Sequence, residues 1–314
     1  MNSAEQREDR PTLAILLMAF AVLLFTLIDS SAKWLILYGL PATQVIFARY
    51  CGAFIILFFI FVPRGGFKQF SSNNPKLQAY RALALLGGTT FNFLALKFLA
   101  ITTTIAIFFA MPVVITFMSY LFLNENVGLR RFLAVLIGFL GVLTIIQPVG
   151  EEFHWAMILS ICALLSASTY FILTRAIAGQ DNNATSQLWS SGLATLIVLP
   201  FVIQDWQWPD SRASLFIFAL IGIFGATSHI LATLAHRLAN ASTLAPTIYA
   251  QAIYAALIGY FIFNTILPFW TVIGTIIIIM SGVYIWLRDR SFISISCGKY
   301  LSITTNFWLI PCSV

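Results

Sequence analysis

From Leu238 to Leu287 the chain runs for 50 residues without a single Asp, Glu, Lys, Arg or His. No soluble fold needs so long an uncharged stretch, whereas two helices of about 20 residues each cross a bilayer core of roughly 30 Å. The segment Asn264 to Pro268 supplies the turn between them. Further uncharged runs cover Thr12 to Ile28, Phe98 to Asn124 and Phe132 to Gly150. With 60% hydrophobic and 9% charged residues, against about 25% charged in soluble domains, the sequence reads as an all-α integral membrane protein.

Apolar runs set against turn signals predict ten transmembrane helices, at 12–33, 43–62, 79–97, 101–122, 130–147, 154–174, 186–203, 214–235, 243–263 and 269–287. The first apolar run follows a leader of mixed charge and continues into Asp29-Ser30-Ser31-Ala32-Lys33 without a small-residue cleavage site, so it reads as a span and not a signal peptide. With the N-terminus in the cytoplasm, Arg7, Arg10, Arg64, Lys68, Lys76, Arg81, Arg130, Arg131, Arg175, Arg237, Arg288, Arg290 and Lys299 all fall on the inner side. Only Lys33, Lys97 and Arg212 fall outside, and Arg49 lies within a span. This bias places both termini in the cytoplasm of a bacterial inner membrane. Cys51, Cys162, Cys297 and Cys312 are scattered and form no CxxC pair, so they suggest neither a metal site nor a disulfide framework.

The chain repeats itself. At an offset of 142, Ala21-Val22-Leu23 meets Ala163-Leu164-Leu165, Lys33 meets Arg175, and Ala42-Thr43 meets Ala184-Thr185. At an offset of 139, Lys97 meets His236, Ala106 meets Ala245, and Glu125 meets Asn264. Two halves of five spans each follow. Because five is odd, the second half enters the membrane upside down, which gives the inverted pair that transporters use to open a central site to each side in turn. The predicted organisation is a cytoplasmic segment 1–11, a first repeat 12–147, a periplasmic linker 148–153, a second repeat 154–287 and a cytoplasmic tail 288–314.

Arg49 sits about six residues into its span and requires a partner or a water-filled cavity. One reading is recognition of an anionic group by its fork; the other is a salt bridge to Asp29, or snorkelling. Asp29 and Lys33 are spaced i, i+4 near the level of Arg49 and form with it a trio of surplus positive charge, suited to a ligand anion or a gate latch. His229 either binds substrate or is a buried, neutral, hydrogen-bonded imidazole. Polar groups on central helices extend the candidate set to Thr89, Thr90, Asn92, Gln187, Trp189, Tyr249, Gln251 and Tyr254. Tyr249 and Gln251 do not share a helical face, so only part of this set can point inward. Pro112 frees the carbonyl of residue 108 and kinks the fourth span, as a fixed bend or a gating hinge. Its repeat counterpart is Gln251, so only one of the two fourth spans is expected to be kinked by proline. Glu125 ends the same charge-free run near Arg130-Arg131 and is a candidate for the inner gate. No HExxH, GxSxG or phosphate-binding glycine loop occurs, so an enzyme is not expected.

The segment Asn92 to Leu99 with "FFAMPVVITFMSYLFLNE" after it, and "HRLANASTLAPTIYAQAIYAALIGYFIF" in the second half, resemble the paired repeats of EamA-type transporters in the drug/metabolite transporter superfamily. Two features depart from that pattern: Phe263-Asn264 where the second repeat commonly carries Gly-Glu, and a tail from Ser291 that has no place in the family fold. The resemblance implies a secondary transporter of a small metabolite, working by alternating access as a monomer or homodimer. It implies no cofactor, metal or nucleic acid. Export of an amino acid or related metabolite is preferred, with uptake of a riboflavin-like vitamin as the alternative. From another class, an intramembrane lipid-modifying enzyme is the remaining candidate.

Overall fold

The computed structural model describes residues 10–123, 128–146, 154–264, 269–270, 272–274, 276–277, 279–281 and 284. Glu125, the linker 148–153 and the tail 288–314 lie outside these residues. Among them there is no β-strand, only an isolated bridge between Ala178 and Asp181. Helical residues fall on every predicted span. The first three helices are α1 (Pro11–Leu37), α2 (Ala42–Gly65) and α3 (Pro75–Leu96). The fourth span is two helices, α4 (Ile101–Phe108) and α5 (Met111–Leu123), and α6 (Leu129–Ile146) follows. The second half has α7 (Ala156–Ala176), α8 (Asn183–Val202), α9 (Arg212–Leu238), the short α10 (Ala241–Leu244) and α11 (Ala250–Phe263). Helices α1, α2, α7, α8 and α9 are long and apolar enough to cross a membrane.

Local chemistry sets the helix starts. Pro11 and Pro75 stand in the first turns of α1 and α3, where a missing N–H costs nothing. The side chains of Asn74, Asn182 and Ser211 accept from the backbone N–H of Leu77 (3.3 Å), Thr185 (2.7 Å) and Ser214 (3.0 Å), capping α3, α8 and α9.

The packing realises the inverted repeat. The two most extensive helix pairs are α1 with α9 and α3 with α7. Exchanging the halves (α1 for α7, α3 for α9) turns one pair into the other. Helices α2 and α8, which exchange with each other, also pack together. Without a hydrophobic drive between helices in lipid, small residues set the closest approaches. A Cβ on Gly222 of α9 would lie 2.7 Å from the Cα of Gly52 on α2, and one on Gly88 of α3 would lie 3.4 Å from the backbone N of Ala167 on α7. The outward faces carry Leu16, Phe20, Phe59, Phe201 and Phe216, whereas Gln44, Arg49, Gln78, Arg81, Asn92 and His229 are buried. Apolar outside and polar inside is the arrangement that a hydrocarbon solvent selects.

Both fourth spans are interrupted. In the first half the helix breaks at Phe109–Ala110, just before Pro112. In the second, a 3-10 stretch at Ala245–Tyr249 separates α10 from α11, with Pro246 near its start. The expectation of a single proline-associated break is therefore corrected. The second half uses Pro246, five residues upstream of the position equivalent to Pro112, because a missing N–H anywhere near this level loosens the same turn.

Candidate functional site

The two breaks flank a cavity lined by residues of both halves. Phe108 and Met111 reach it from the first break, Ile248 and Gln251 from the second. Discontinuous helices beside a central cavity are the way membrane transporters build polar backbone into a binding site.

On the α1 side, Asp29 Oδ1 accepts from Asn92 Nδ2 at 2.8 Å, and Asp29 Oδ2 receives a long contact of 3.4 Å from Gln251 Nε2. From α2, Arg49 donates through Nη1 to Thr89 Oγ1, and through Nη2 to His229 Nε2 at 2.8 Å. Its guanidinium lies over the rings of Tyr50 (5.1 Å) and Phe93 (5.8 Å), a cation–π arrangement. The neutral reading of His229 agrees with these contacts, since an arginine only donates and Nε2 must accept. An Arg49–Asp29 salt bridge, one of the alternatives for Arg49, is absent among the described residues, although both side chains line the same cavity.

From His229 the polar network continues through Tyr170, also on the cavity wall, to Arg81. Nδ1 stands 3.0 Å from Tyr170 Oη, which accepts from Arg81 Nη2 at 3.0 Å. Arg81 is 0% exposed and also donates to Thr174 Oγ1 (2.8 Å), Ser186 O (2.8 Å), Ser190 Oγ (2.6 Å) and Thr233 Oγ1 (3.1 Å). Neutral acceptors alone take up its five donors. Counting Arg81 among the span-end charges is thus corrected: α3 begins at Pro75, which places Arg81 six residues inside the helix. Arg175, counted the same way, is buried against the end of α9.

Of the predicted site residues, the structure gathers Asp29, Arg49, Asn92, His229 and Gln251 around one cavity. Thr89, not its neighbour Thr90, lines it. Lys33 turns away from Asp29 and donates to the carbonyls of Leu96 (3.3 Å) and Leu99 (2.8 Å), so the expected trio is divided. Trp189 Nε1 donates to Phe70 O at 2.9 Å, and Gln187 to His229 O at 3.0 Å. Tyr249 is buried against Phe109 (centroids 6.1 Å apart), Tyr254 packs against the apolar core, and Pro112 is buried beside the break. Phe25, Tyr170 and Phe171 line the cavity and were not singled out. For Tyr170 the available signal was its place in "SASTY", the polar stretch of an otherwise apolar helix.

The sequence profile described as "EamA-like transporter family" matches residues 12–147 and 154–287. Among curated proteins, the chain is 26% identical to a "Riboflavin transporter" of Vibrio cholerae over 285 residues, 90% of this chain and 96% of that protein. It is also 26% identical to an "S-adenosylmethionine uptake transporter" of Rickettsia bellii over 258 residues, 81% of this chain and 87% of that one. A crystal structure of a protein 14% identical in sequence superposes with a TM-score of 0.70, covering 90% of this chain and 99% of its own, so the fold is shared.

Proposed function

Since the chain belongs to the EamA-like transporter family, we propose that this multi-pass membrane protein imports a small zwitterionic metabolite carrying a heteroaromatic ring, by alternating access across a bacterial inner membrane. The observation that carries this reading is that Asp29 and Arg49 face one cavity without pairing to each other. Opposite charges held apart complement a ligand whose own charges are separated, and a buried charge needs such a partner. Phe25, Phe108 and Phe171 add apolar ring surface to the same walls. S-adenosylmethionine, the solute in the name of the Rickettsia bellii relative, has this chemistry. That relative is named for uptake, and the expected preference for export finds no support among these relatives. The charge bias between the predicted loops supports cytoplasmic termini.

Riboflavin is the second reading. The side-chain amides of Asn92 and Gln251 at the cavity match a neutral, hydrogen-bonding ring edge, and the Vibrio cholerae relative is named for this vitamin.

The test is uptake of labelled S-adenosylmethionine and of labelled riboflavin by liposomes containing the purified protein. Saturable S-adenosylmethionine uptake that falls in both Arg49→Ala and Asp29→Asn supports the first reading. Uptake of riboflavin alone replaces it with the second. If neither moves and a covalently altered product forms, the transport reading fails.

A further inference from the structure

Hydrogen-bond bookkeeping around His229 assigns a role to Tyr170. Arg49 Nη2 has only hydrogens to give, so His229 Nε2, 2.8 Å away, is the unprotonated nitrogen. The neutral ring then carries its proton on Nδ1, and Nδ1–H donates to Tyr170 Oη at 3.0 Å. Tyr170 Oη also accepts from Arg81 Nη2 at 3.0 Å, since a guanidinium has no acceptor. Both lone pairs of the phenol oxygen are therefore filled, and its own O–H hydrogen has no acceptor among the described residues. Tyr170 is 1% exposed and lines the central cavity.

A buried donor with nothing to bond costs on the order of 1–3 kcal/mol, so a hydroxyl of this kind on the cavity wall calls for an occupant that supplies an acceptor. We infer that Tyr170 O–H donates to the carboxylate of the transported solute. The inference rests on the zwitterionic substrate reading above and extends it by naming where one end of the solute docks. In this arrangement Arg81 is a positioning residue. By filling one lone pair of Tyr170, with His229 Nδ1–H filling the other, it leaves the phenol hydrogen no bond inside the protein. A carboxylate oxygen accepts from this hydroxyl, and such charge-assisted bonds are the strong kind. Water or a neutral carbonyl makes a weaker bond there.

The experiment compares S-adenosylmethionine with its decarboxylated form as competitors of labelled S-adenosylmethionine uptake, in wild type and in Tyr170→Phe. Wild type is expected to favour the carboxylated compound at least tenfold, and Tyr170→Phe to raise its half-saturating concentration about tenfold while leaving the decarboxylated compound nearly unchanged. General damage to the site would weaken both compounds alike, and that result overturns the inference. Nitrogen NMR of histidine-labelled protein gives a readout that needs no Tyr170 variant: a neutral His229 ring protonated on Nδ1 is expected, and protonation on Nε2 refutes the assignment. If Tyr170→Phe does not reach the membrane, equal wild-type affinity for the two compounds is enough to reject this role of Tyr170. Wild type that ignores S-adenosylmethionine defeats the substrate reading and this inference together, whereas wild type that takes up both compounds alike defeats this inference alone.

Discussion

Lys33 and Arg175, which align in the two halves of the sequence, perform the same task at opposite faces of the bundle. Lys33 Nζ donates to the carbonyls of Leu96 and Leu99 at the end of α3, and Arg175 donates to the carbonyl of His236 (2.7 Å) and to Asn240 Oδ1 at the end of α9. The last carbonyls of a helix lack intrahelical partners and carry the negative end of its dipole, so a cation there is doubly favourable. Lys33→Met is expected to lower stability by about 1–2 kcal/mol, and Arg175→Met by more, because Arg175 is the more deeply buried. Thermal unfolding in detergent checks the order, and Lys33→Arg should behave as wild type.

Arg49→Lys keeps the charge but removes the fork. One ammonium cannot reproduce the bonds to Thr89 and His229 together, nor the flat contact over Tyr50. Transport is expected to fall at least about tenfold while the unfolding temperature stays within a few degrees of wild type. Unchanged uptake kinetics would show that Arg49 is only structural.

The crossing of α2 and α9 leaves no room for a methyl group. A Cβ on Gly222 would stand 2.7 Å from the Cα and 2.9 Å from the carbonyl carbon of Gly52, both backbone atoms that cannot rotate aside. Gly222→Ala is expected to cost about 1–3 kcal/mol, with Gly52→Ala milder at 3.0 Å from the Gly222 Cα. Measured unfolding temperatures should follow that order.

Asp181 ties the connection after α2 to the connection after α7. It accepts from Ser72 Oγ (2.5 Å), the backbone N–H of Asn73 (2.8 Å) and Gln78 Nε2 (2.9 Å). Removing it strands several donors at once, so Asp181→Ala is expected to cost about 2–3 kcal/mol and Asp181→Asn less, since one acceptor oxygen remains. Limited proteolysis between residues 66 and 74 should speed up in the alanine variant first.

The residues differ in how far the sequence exposed their roles. Asp29, Arg49 and His229 were legible as candidates because any ionisable group inside an apolar run demands a partner. Which partner it takes was not legible. Asp29 and Lys33, four residues apart on one helix, look like a pair, yet each finds better geometry elsewhere: Asn92 for one, the end of α3 for the other. Arg81 looked like an end-of-span charge because the start of α3 was placed four residues too late, and helix boundaries are the least certain part of a periodicity argument. Tyr170 carries only the weak signal of its polar stretch, since a tyrosine in a membrane helix is unremarkable until its neighbours are known.

The sequence by itself determined the solvent and the plan. Uncharged runs of spanning length require lipid, and two similar halves with an odd number of spans require an inverted pair. Tertiary structure alone decided the site, because the polar side chains that meet there lie far apart along the chain: Arg49 and His229 are separated by 180 residues. In hydrocarbon a buried polar group left without a partner is costly. Helix rotation and crossing choose which partners it finds, and those are set by small-residue contacts such as Gly52 on Gly222.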